Sequence, residues 1–171
     1  MNPQALFGLS ALMSLLAWIL VTKLYVWPRL RPLPRQKALT LLVIPHTFRF
    51  IGLSFLVPGV ASPALPAAFA VPAAYGDLAA MALAFVATIA LVRGASPAIP
   101  LTWLFNVWGT ADLLYAIYDG NAVVRSDPGM FGATFFIPTV VVPGLLVAHA
   151  LTFRLLLERS ESGREPRGEH P

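Results

Sequence analysis

Five long apolar runs occupy most of this chain, at about 4–27, 38–58, 72–92, 100–118 and 134–156. Each approaches the twenty or so residues that an α-helix needs to cross a bilayer. Lipid offers the backbone no hydrogen-bond partner, so a spanning segment must satisfy its own N–H and C=O groups; these runs lack the alternation that marks barrel strands. Composition agrees: the 171 residues are 57% hydrophobic and 12% charged, against roughly 45–50% and about 25% for a soluble domain. The expected fold is an all-α integral membrane protein, a single bundle of five transmembrane helices over residues 1–158. The remainder, 159–171, mixes Arg, Glu, Ser, Gly and Pro without apolar periodicity and reads as a disordered cytoplasmic tail.

Charge placement sets the orientation. Arg29, Arg31, Arg35 and Lys37 crowd the proline-rich first connection, Arg93 follows the third run, and Arg154, Arg159, Arg164 and Arg167 end or follow the fifth. The opposite connections hold Arg125 alone among basic residues, beside Asp119 and Asp127. Because lysine and arginine mark the cytoplasmic side, the N-terminus is expected outside and the C-terminus inside. Trp27 and Trp103 at inner ends, with Tyr115 and Tyr118 near an outer end, suit interfacial aromatic belts. The first run lacks a basic n-region and is too long for a signal-peptide core, so it is expected to stay as a helix. Segment 58–72 carries four prolines and no charge, so a regular helix through its length is not expected; it reads as an apolar loop capping the bundle, or as a lid.

Against this background five ionisable side chains stand out: His46, Arg49, Asp77, Asp112 and His149. A charge at the bilayer centre costs about 2.5–3.5 kcal/mol even on the most lenient scales, so such residues face a protein interior, pair, or line a pathway. His46 and Arg49 are three residues apart and share a helix face, just after Pro45. Arg49 cannot become neutral and needs anions or carbonyls, and Asp77 and Asp112 are the candidates. Runs three and four join through a short turn, which puts the two carboxylates within about 5 Å in height. If the third helix starts at Pro72, Asp77 also lies near a positive helix end. In run four Trp108, Asp112 and Tyr115 fall on one face, with Asn106 and Thr110 on an adjoining one. His149 lies within one or two helical turns of His46 in height. A buried ion pair that only locks helix packing is the competing reading. The stripe Ser10, Ser14, Ala17 on run one is read as helix packing, and His170 as incidental.

Several chemistries are excluded or unsupported. No cysteine is present, which removes disulfides, thiol relays and iron–sulfur ligation. There is no Walker loop, no HExxH and no glycine-rich dinucleotide turn. The net charge of +4 sits beside apolar segments and reads as topology rather than nucleic-acid binding. No metal site is expected, since the aspartates stand higher in the membrane than the histidines.

The leading expectation is a multi-pass protein of the cell membrane, a bacterial inner membrane, that binds or carries a small molecule or lipid. Its polar cavity would use His46, Arg49, Asp77, Asn106, Trp108, Asp112, Tyr115 and His149, with Arg49 recognising an anionic group while the aspartates bind or titrate. One alternative is a redox protein in which His46 and His149 hold a b-type haem or contact a quinone. Another is an accessory subunit whose ions serve architecture. The expected partners are the lipid bilayer and a small-molecule or lipid ligand, with a homo-oligomer or a larger membrane complex as the assembly.

Overall fold

The computed structural model describes residues 2–158. The expected tail, with Arg159, Arg164, Arg167 and His170, lies outside the described residues. Among those described there is no strand, and five long helices follow one another: α1 (Pro3–Leu30), α2 (Arg35–Leu56), α3 (Ala67–Val92), α4 (Ala98–Ser126) and α5 (Ile137–Leu157). All but α4 are long and apolar enough to cross a membrane. Helix α4 has 29 residues, but Asn106, Thr110, Asp112, Asp119 and Asn121 lower its hydropathy.

The third helix departs from expectation. It starts at Ala67 and runs through Pro72, the sixth residue of the helix, where the missing N–H costs only one bond close to the helix start. Asp77 is therefore ten residues in (77 − 67), beyond the reach of the N-terminal dipole. Its buried face is a run of small residues, Ala70, Ala73, Ala74, Ala80, Ala84, Ala87 and Ala90, interrupted by Asp77. Small side chains let neighbouring helices approach closely, and α3 is packed between α2 and α4.

Helix α2 changes type along its length. It is α-helical over Arg35–Val43 and then 3₁₀ over Ile44–Leu56, a stretch of 13 residues. Such a run is rare, since 3₁₀ segments longer than three or four residues are uncommon. At 3.0 residues per turn, every third side chain is eclipsed. The buried residues of this stretch are His46, Arg49, Gly52 and Phe55, a spacing of three throughout, so they form one vertical stack.

Two apolar clusters bracket the polar residues. At the basic end Leu39, Leu42 and Val43 pack with Ala84, Ala87, Leu91, Phe105, Leu155 and Leu156. At the other end Phe55, Phe69, Ala73, Val123 and Phe131 pack with Ala61 and Leu65 of the proline-rich connection. That connection is pinned to the 3₁₀ segment Pro128–Phe135 by Ser62 N–H donating to Met130 O at 3.1 Å and Ala133 N–H donating to Val60 O at 2.8 Å. Gly132, at φ +54°, permits this crossing, because a Cβ there would stand 2.5 Å from Val60 O. The two connections together close one end of the bundle.

Helix termini at the basic end are capped by arginine and glutamine. Arg35 donates through Nε to Leu155 O and through Nη2 to Leu156 O, both at 2.7 Å, and Gln36 Nε2 donates to Leu91 O at 2.7 Å. These carbonyls belong to final helical turns, which have no partner within the helix. Helix α1 leans on α5: Trp18 Nε1 donates to Val140 O at 3.0 Å, Ser14 Oγ reaches the same carbonyl at 3.4 Å, and the indole covers Gly144. Val140 lies in a π-type turn, Ile137–Val141, that opens α5.

Candidate functional site

Between the two apolar clusters, four helices converge on Arg49. Its side chain is 1% exposed and each of its three nitrogens donates. Nε donates to Asp77 Oδ1 on α3 at 2.7 Å, Nη1 to the Gly109 carbonyl on α4 at 3.1 Å, and Nη2 to Asp112 Oδ2 on α4. A guanidinium suits this role, because its planar fork presents donors in fixed directions and stays charged when buried.

Close approach is secured by three glycines. Gly52 on α2 receives the Asp77 carboxylate, Gly76 on α3 receives the Asp112 carboxylate, and Gly109 on α4 receives the His149 ring and the tip of Arg49. Each helix thus offers a bare backbone to a polar side chain of a neighbour. At Gly109 an added Cβ would meet His149 Cε1 at 2.7 Å and Nε2 at 2.9 Å. The sequence signal for Gly52 is its place three residues beyond Arg49.

The histidines form a second layer next to the ion cluster. Their rings pack directly, centroids 4.1 Å apart, with Phe105 against both. Asn106 fixes His149: its Nδ2 donates to the His149 carbonyl at 3.3 Å, which turns its Oδ1 toward the imidazole Nδ1 at 2.7 Å. Nδ1 therefore carries the proton and Nε2 the lone pair. Among the described residues, His149 Nε2 and both ring nitrogens of His46 lack a hydrogen-bond partner. The two imidazole planes are tilted 48° to one another. Among the described residues no group of three or more His, Asp or Glu is placed to hold a metal ion.

Not every residue expected at the site is there. Trp108 and Tyr115 are 47% and 53% exposed and point away from the cluster. The heptad-like spacing grouped them with Asp112, but four residues along an α-helix advance about 40° beyond a full turn. That offset turns Asp112 inward toward α2 and α3 and leaves the two aromatics outside.

A cavity of about 440 Å³ opens beside the ion cluster, between α1 and the far halves of α3, α4 and α5. Its walls are apolar, with Phe7, Ala11 and Leu15 from α1 facing Leu113, Ala116 and Ala73. Asp77 and Asp112 are its charged lining residues, each with a side chain 12% exposed. Arg49 does not line it, being shielded behind the two carboxylates. One oxygen of each carboxylate is held by Arg49, leaving Asp77 Oδ2 and Asp112 Oδ1 outside the ion pairs.

A family model described as a domain of unknown function (DUF8737) matches residues 6–157. The chain belongs to this family. In this chain the DUF8737 match runs from the first turns of α1 to the last residue of α5, so it takes in the ion cluster, the histidine layer and the cavity together. No curated protein and no solved structure matches the chain.

Proposed function

We propose that this protein crosses the cell membrane five times, N-terminus out and C-terminus in, and binds or carries a small molecule or lipid in the cavity beside Asp77 and Asp112. The observation that carries this reading is the cavity itself: about 440 Å³, apolar on its walls and lined by two carboxylates that a buried arginine holds in place. Ligand sites have this character, a largely apolar hollow of about 300–1,000 Å³ with a few fixed polar groups.

Counting α4 as the fifth span is supported by its length, since 29 residues extend about 43 Å, and by Asn106, Gly109 and Asp112 turning inward. The orientation is supported by the gathering of Arg29, Arg31, Arg35, Lys37, Arg93 and Arg154 at one end of the bundle. In that orientation the cavity lies in the outer half.

The test is retention. Protein extracted in mild detergent should release a stoichiometric small molecule or lipid on denaturation, detected by mass spectrometry. Ala116→Phe, which fills the cavity, should lose it, whereas Tyr115→Ala on the exposed face should keep it. If nothing is released and Ala116→Phe raises thermal stability, as filling an empty void would, the ligand reading fails.

A further inference from the structure

We propose that the cavity's occupant is an amphiphilic cation, an apolar body ending in an ammonium group, and that it exchanges with a proton at the Asp77–Asp112 pair. This rests on the reading of the cavity as a ligand site. The charge balance is what singles out a cation. Arg49 brings one positive charge and the two carboxylates bring two negative ones. The other groups facing them add none: His46 on α2 and His149 on α5 are buried imidazoles packed on each other and on Phe105, and the polar residues that α1 and α4 add to the lining, Gln4 and Asn121, are uncharged. With both carboxylates ionised the cluster holds one excess negative charge in a site walled by apolar side chains. A charge so placed calls for a counter-charge or a proton.

An anion, which the sequence led one to expect, would find no arginine among the residues that line this cavity. Every nitrogen of Arg49 is already engaged and the guanidinium is hidden from the cavity, so an entering ligand meets carboxylate oxygen, not arginine. A hard metal cation fits poorly, because it needs about six oxygen ligands and the cavity walls are otherwise apolar. An ammonium needs only acceptors on one side. The carboxylates of Asp77 and Asp112, the charged groups of the lining, supply them, and the apolar walls take the rest of the molecule. When the ammonium enters a protonated site, the proton leaves to bulk solvent and net charge is conserved; no bond other than that O–H is broken.

The probes are 4-phenylbutylamine, its neutral analogue 4-phenylbutanol and its anionic analogue 4-phenylbutyrate, titrated calorimetrically into the full-length protein in detergent. The amine should bind about tenfold or more tighter than the alcohol, the margin that one charge-assisted hydrogen bond supplies, and the carboxylate should not bind measurably. Between about pH 9 and about pH 5, where the amine stays charged, its affinity should fall as pH falls, and buffers of different ionisation enthalpy should register proton release. Asp112→Asn should reduce the amine to the affinity of the alcohol. Equal binding of amine and alcohol without pH dependence would overturn the cation inference and leave the cavity reading standing. Preference for the carboxylate would overturn it too. Failure of all three probes, together with no effect of Ala116→Phe on retention, would sink both. The comparison of three probes on the unmodified protein decides the matter even if Asp112→Asn does not fold.

Discussion

Replacing Arg49 by leucine removes one positive charge and three hydrogen bonds from a site that is 1% exposed, and leaves two carboxylates side by side. Breaking a buried ion pair from one side costs about 3–5 kcal/mol, most of it the burden of the charge left alone. For a chain of this size a kcal/mol corresponds to about 2–4 °C in melting temperature, so Arg49→Leu should lower the midpoint by about 6–20 °C. The informative measurement is the double-mutant cycle. Asp112→Asn in the Arg49→Leu background removes one of the stranded charges, and so does Asp77→Asn. Each should recover part of the loss, with an interaction energy of about 1–3 kcal/mol, as expected for residues in direct contact. Purified variants in one detergent, followed by intrinsic fluorescence on heating, give the four corners of each cycle. Strict additivity, within about 0.5 kcal/mol, for both aspartates would refute the conclusion that Arg49 and the carboxylates stabilise one another.

Other substitutions probe the packing around the cluster. Gly109→Ala should destabilise by about 1–3 kcal/mol, because its methyl group enters the space of the His149 ring; Gly8→Ala, with open space around it, should leave the melting temperature unchanged. Asn106→Leu strands His149 Nδ1 and should cost about 1–3 kcal/mol, with nitrogen NMR of labelled histidine reporting loss of the fixed tautomer. A reporter that is active only outside the cytoplasm should work when fused at the N-terminus and be silent after Arg159; the reverse pattern would overturn the orientation drawn from Arg29 to Lys37.

Much of the architecture was legible because membrane physics leaves few options. Apolar runs of this length can only be helices, and α1, α2 and α5 begin and end within a few residues of where hydropathy puts them. The meeting of Arg49 with Asp77 and Asp112 was legible for a similar reason: an arginine in mid-span must find acidic partners, and only two aspartates stood at a suitable height. What stayed hidden depends on local geometry. The 3₁₀ stretch of α2 gives way only to a reader who notices His46, Arg49, Gly52 and Phe55 at intervals of three, and α-helix is otherwise the default. Helical spacing alone does not say on which side of a broad face the interior lies, and Trp108 and Tyr115 stand on the exposed side. The start of α3 stays hidden because Pro72 reads as a boundary, although it falls early enough in the helix to be tolerated. The sequence calls for a polar cavity around the ionisable residues, whereas the observed one is mainly apolar and takes in only Asp77 and Asp112 of them, because α1 leans on α5 through Trp18 and Gly144 and stands off from α3 and α4.

The three-residue beat of α2 has a bearing on how this sequence can change over time. Between Pro45 and Leu56 a single inserted or deleted residue turns everything beyond it by about 120°. Upstream of Arg49 such an event would swing the guanidinium away from Asp77 and Asp112; downstream it would carry Gly52 away from Asp77. Only a gain or loss of three residues keeps the face, and that shifts the stack by about 6 Å along the axis, too far for Asp77 and Asp112 to follow. The segment Ile44–Leu56 should therefore vary among related chains by substitution alone, at constant length.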